Sequence, residues 1–102
     1  HTASLFPGDQ LLMESARIAS PAFHAGGPDR VTLTLPSINN ARNIFFFVIG
    51  KEKSEALRRV AERDESLPGS LVRPVDGELV LAADPDAGGD LTRSGFASTA
   101  FE

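Results

Sequence analysis

Ile44-Phe45-Phe46-Phe47-Val48-Ile49 is followed at once by Gly50-Lys51-Glu52-Lys53-Ser54-Glu55-Ala56-Leu57. Six apolar residues without alternation fit a strand that is central in its sheet and covered on both faces. Gly50 stops the run. A helix is expected over residues 51–63, where Ala56, Leu57, Val60 and Ala61 form one apolar stripe. Glu52 and Glu55 stand near its start, and Arg58, Arg59 and Arg63 near its end. That order suits the helix dipole, and Glu55 with Arg59 makes a favourable i,i+4 pair.

Upstream of this core, residues 30–35 (Arg-Val-Thr-Leu-Thr-Leu) alternate apolar and polar, which predicts a strand closed by Pro36. A short helix follows over residues 37–43, with Pro36 near its first turn. Residues 20–28, with Pro21, Gly26, Gly27 and Pro28, read as a loop. Residues 11–18 fit neither period. Residues 1–9 form a loop around Phe6-Pro7-Gly8, with one helical turn over residues 2–5. Downstream, Leu67-Pro68-Gly69 and Asp76-Gly77 are turns, residues 71–73 are extended, and Glu78–Ala83 is a last strand. Residues 85–102 read as an irregular tail, and no internal repeat is visible. Strand, helix, strand, helix, strand defines an α/β layered sheet of which only part is present. Parallel pairing is expected between the 44–49 strand and Glu78–Ala83, with a right-handed crossover through the helix.

Composition narrows the function. The chain has 102 residues, 41% hydrophobic and 24% charged, enough for one small domain. Its net charge of −4 argues against a general nucleic-acid binder. With no cysteine, disulfides, thiolate metal sites and thiol nucleophiles are excluded. Two histidines are too few for a purely histidine-built metal site. No apolar run approaches the ~18 residues of a membrane span. No signal segment opens the chain, which starts at His1 rather than a methionine and reads like the middle of something longer. Its apolar faces are expected to need partners lying elsewhere.

Three places could carry chemistry. At Gly50-Lys51-Glu52-Lys53 a strand gives way to a helix, whose N–H groups and positive dipole end attract anions such as phosphate. Cations in a first turn conflict with the dipole, and a bound anion would remove the conflict. The plainer alternative leaves both lysines in water, offset by Glu52 and Glu55. The spacing is not that of a P-loop. Arg30, at a strand end beside a Gly/Pro loop, could reach a substrate anion; the plainer alternative is an exposed pair with Asp29. His1, in a small-residue loop with Thr2 and Ser4, suits a general base; the plainer alternative is a surface histidine in a turn. His24 has that same plain reading and no supporting neighbours in sequence. No paired carboxylates and no nucleophile elbow are evident.

His1-Thr-Ala-Ser-Leu-Phe-Pro-Gly8 resembles the signature loop of 6-phosphogluconolactonases. Residues 30–42 (Arg-Val-Thr-Leu-Thr-Leu-Pro-Ser-Ile-Asn-Asn-Ala-Arg) resemble that family's next block, residues 45–60 its strand–helix block, and residues 67–74 and 77–84 its closing segments. Four blocks in order make the resemblance specific over residues 1–84. It implies a three-layer α/β sandwich with a mainly parallel sheet. The chain would supply the carboxy-terminal portion of this glucosamine-6-phosphate isomerase-like fold, and the missing amino-terminal half would be its partner. It implies a cytoplasmic hydrolase of 6-phospho-D-glucono-1,5-lactone in the pentose phosphate pathway, with no cofactor, metal, nucleic acid or membrane. By the same resemblance His1 is the catalytic base, and Arg30 and Lys53 contact the substrate phosphate. The isolated chain is expected to be inactive or nearly so. Glucosamine-6-phosphate isomerase/deaminase, which shares the fold, places a glutamate five residues after the histidine; here that residue is Phe6, which cannot shuttle a proton. A non-catalytic sugar-phosphate-binding module is the other alternative.

Overall fold

The computed structural model describes residues 1–89 and 91. In chain order the elements are β1 (Ala19–Ala22), β2 (Arg30–Leu33), α1 (Leu35–Asn39), β3 (Asn43–Val48), α2 (Ser54–Ala61), β4 (Glu78–Ala83) and α3 (Pro85–Gly88). Short 3-10 turns occupy Gln10–Met13, Lys51–Lys53 and Pro68–Leu71.

The expected parallel pair is present. β3 and β4 run side by side from Asn43 opposite Glu78 to Val48 opposite Ala83. Ile44, Phe46 and Val48 turn to the inner face, as the twofold side-chain period requires. There they meet two apolar clusters. One centres on Leu5, Leu35, Ile44 and Val72; the other joins Leu57 of α2 to Ala87 of α3 and to Leu91. Gly77 sets the start of β4, because a Cβ there would stand 2.8 Å from the Ala41 carbonyl oxygen and closer still to that of Arg42. Only glycine lets Glu78 N–H reach the Arg42 carbonyl, at 2.9 Å.

Several expectations are corrected. Residues 30–35 do not join the sheet of β3. β2 instead folds back on β1 as an antiparallel hairpin, Ala19 opposite Leu33 and Ala22 opposite Arg30. The expected loop over residues 20–28 therefore begins only after Ala22. Pro21 is tolerated because it stands on an edge strand, where its missing N–H breaks no central ladder. Helix α1 starts at Leu35, two residues early, with Pro36 in its first turn. Thr34 precedes it; its fully buried hydroxyl donates to the Arg17 carbonyl and lies 3.1 Å from that of Ile18. β3 is not covered on both faces among the described residues: Phe45, Phe47 and Ile49 remain 53%, 69% and 73% exposed, and the two phenyl rings stack at 6.0 Å.

The helix expected over residues 51–63 divides into the 3-10 turn Lys51–Lys53 and α2, with Leu57 buried and Ala56 exposed. Residues 2–5 form a tight bridged turn rather than a helical one. Residues 68–71 are a 3-10 turn, so the extended segment begins only at Val72. Asn39 holds it: its side chain donates to the Leu71 carbonyl at 3.2 Å and accepts from Arg73 N–H at 2.7 Å. After α2, Ser66 and then Arg59 bond the Asp64 carboxyl and hold it down to about 2. A carboxyl depressed in this way stabilises the fold above its ordinary range, and that contribution is lost progressively as pH falls from that range through about 2. Of the tail, Pro85–Gly88 is helical; residues 90 and 92–102 lie outside the described part. Among the described residues no helix is long and apolar enough to cross a membrane.

Candidate active site

The loop of residues 1–9 is held at both ends and at its centre. Thr2 and Leu5 exchange backbone hydrogen bonds of 3.1 and 2.9 Å. Leu5 has no exposed surface and plugs the loop into the first apolar cluster. The turn puts Ala3 at φ 50, a left-handed conformation that costs an L-residue about 1–2 kcal/mol. At the far end the Asp9 carboxylate accepts from Leu11 N–H at 2.9 Å and caps the next turn.

Side chains then fix the loop to the hairpin. Ser4 N–H donates to Thr32 Oγ1 at 3.0 Å. The Ser4 carbonyl accepts from His24 Nε2 at 3.1 Å, and His24 Nδ1 stands 3.9 Å from an Asp9 carboxylate oxygen. Phe6 contacts two imidazoles. Its ring stacks on His1 at 4.9 Å and 14°, and it meets His24 at 4.0 Å and 54°. His1 is thus exposed to solvent on one side and backed by a phenyl ring on the other. A base that must bind water needs that first property, and a base that must keep its aim needs the second.

Arg30 opens β2 at the loop end of the hairpin, opposite Ala22. It is exposed. Arg30 and Thr32 share a face of the strand. Thr32 receives Ser4 N–H on that face, so Arg30 leaves the strand on the side where the His1 loop is seated. Lys53 is exposed at the carboxyl end of the β3–β4 pair, the edge at which parallel sheets present their ligand sites. The Thr2 end of the His1 loop reaches towards the same helix. A Cβ on Gly69 would lie 3.5 Å from Thr2 Oγ1 and 3.0 Å from Val60 of α2. Among the described residues no hydrogen bond or ion pair joins His1, Arg30 and Lys53 directly. An open groove of about 800 Å³ beside the loop, lined by Asp9, Met13, Glu14 and Phe23, contains none of the three.

One detail of the strand–helix junction departs from expectation. Gly50 N–H is not left for a bound anion; it points at both carboxylate oxygens of Asp84, each 3.2 Å away. Asp84 also accepts from Ala87 N–H at 2.9 Å and so caps α3. Gly50 takes φ 99, and the Glu52 carboxylate lies where a Cβ would project. The junction's anion is therefore internal, and among the described residues no ion pair holds Lys51 or Lys53. Asp84-Pro85 is a recognisable helix-start signal. His24 and Phe6 were not recognisable as partners, because they stand eighteen positions apart in sequence. Among the described residues no three acidic or histidine side chains converge as a metal site requires.

Fold and loop together define a class: an α/β chain with a parallel strand pair, an exposed, ring-backed histidine, and cations at a strand start and a sheet edge. Comparison with known proteins agrees. Residues 1–81 match the family described as glucosamine-6-phosphate isomerases/6-phosphogluconolactonase, and the chain belongs to that family. It is 42% identical to the 6-phosphogluconolactonase of Homo sapiens over 96 residues, 90% of this chain and 37% of that protein. With the Rattus norvegicus 6-phosphogluconolactonase it shares 42% identity, covering 85% of this chain and 35% of that one. The 6-phosphogluconolactonase structure from Trypanosoma cruzi superposes with a TM-score of 0.77 at 32% identity, over 90% of this chain and 37% of that one. The chain thus spans little more than a third of the length of these relatives.

Proposed function

We propose that the polypeptide to which this chain belongs hydrolyses 6-phospho-D-glucono-1,5-lactone to 6-phosphogluconate, with His1 as general base. The observation that carries this reading is the exposed imidazole of His1, backed by Phe6 in the loop that opens the family match. Curated relatives of that name at 42% identity support it. His1 takes a proton from water as the water oxygen attacks C1. The resulting oxyanion collapses, the bond from C1 to the ring oxygen breaks, and the imidazolium returns its proton to that oxygen. Arg30 and Lys53 hold the phosphate. In the isomerase chemistry a glutamate would stand at the position of Phe6. A phenyl ring takes no proton, so hydrolysis is favoured.

Residues 1–84 act as the carboxy-terminal half of a domain in this reading. The exposed Phe45, Phe47 and Ile49 form the face on which the rest of that domain packs, in keeping with the greater length of the relatives. A phosphorylated sugar lactone is the substrate and the cytoplasm the place of action. The test is acid release from the lactone by the intact polypeptide above the spontaneous rate. Binding of 6-phosphogluconate without acceleration would make it a binding module instead.

Arg30→Ala and Lys53→Ala should each weaken 6-phosphogluconate by about tenfold, the usual worth of one charge-assisted hydrogen bond. Binding of unphosphorylated gluconate should change little. Titration calorimetry on both ligands checks this; equal weakening of the two would remove these residues from the phosphate site.

A further inference from the structure

We infer that His24 is a positioning residue for His1, acting through the Ser4 carbonyl and the Phe6 ring; the inference rests on the lactonase reading above. The Ser4 carbonyl can only accept, so the 3.1 Å contact requires a proton on His24 Nε2. His24 Nδ1 faces Asp9, 3.9 Å away. One imidazole therefore touches the loop at its fourth and ninth residues, and its ring also packs on the sixth. Phe6 links the two imidazoles, because the ring that His24 meets at 4.0 Å also stacks on His1 at 4.9 Å. The loop needs such a hold, since Ala3 stands at positive φ, a conformation that an L-residue disfavours in a free chain. The His24 side chain is 19% exposed and lies on the hairpin connection, outside the two buried apolar clusters. Its contacts serve the loop rather than the fold.

The test separates ring from donor in the intact polypeptide. His24→Phe keeps an aromatic ring against Phe6 but cannot donate to Ser4. His24→Gln restores a donor. In His24→Phe, kcat should fall about tenfold with KM within about twofold, the pattern of a misaimed base. In His24→Gln, kcat should return to within about threefold of the parent. The independent readout is the His1 ring-proton NMR signal, which the Phe6 ring current displaces. It should move towards the value of a free imidazole in His24→Phe and stay in place in His24→Gln. An unmoved His1 signal, or identical behaviour of the two variants, would overturn the inference. His1→Ala runs alongside. If it keeps full turnover the base reading fails, while the ring signal still decides whether His24 positions His1.

Discussion

Replacing His1 by alanine in the intact polypeptide is expected to lower lactone turnover by about 10²–10⁴-fold, the contribution of a positioned general base. KM should move little, because Arg30 and Lys53, not the imidazole, are proposed to hold the phosphate. Stability should also be nearly unchanged. His1 is exposed, and its ring contact with Phe6 lies at the loop surface; surface substitutions usually stay within about 0.5 kcal/mol. Initial rates corrected for spontaneous hydrolysis, with a denaturation curve on the same sample, check both halves. Undiminished turnover would exclude His1 as the base.

The second large effect is structural. Leu5→Ala should destabilise the protein by about 2–5 kcal/mol, the range for truncating a fully buried leucine. Leu5 has no exposed surface and packs with Leu35, Ile44 and Val72. It is therefore both a core residue and the anchor of the His1 loop, four residues from the imidazole. The midpoint of urea unfolding should fall with little change in slope. Turnover should fall too, even where the variant remains folded. A loss well under 1 kcal/mol would mean that the loop is seated by its side-chain hydrogen bonds alone.

The sequence made the parallel pair legible because both signals were local. Residues 44–49 are uniformly apolar, and Glu78–Ala83 follows a clear turn at Asp76-Gly77. The hairpin was not legible. β1 contains Pro21 and one hydrophobic residue type, Ala19 and Ala22, so nothing in its pattern marks a strand; its identity comes from pairing with β2. The uniform apolar run called for cover on both faces, part of it from outside this chain. Phe45 and Phe47 have a face to bury, but their cover is not among the described residues. At the site, His1, Arg30 and Lys53 are legible in local context and in the family resemblance. Phe6 and His24 came to light only as neighbours in space, because the hairpin folds the second back onto the loop of the first. Asp84 could have been read as a cap for α3 from Asp-Pro. Its second bond, to Gly50 N–H, depends on the parallel register of β3 and β4.

In the proposed reading one ligand spans the His1 loop and the two cations. A crystal structure of the intact polypeptide with 6-phosphogluconate tests it most directly. The His1 ring should stand about 3 Å from the C1 carboxylate, within hydrogen-bond reach, with the phosphate against Arg30 and Lys53. A sugar acid bound elsewhere, or a phosphate seated away from both cations, would contradict it.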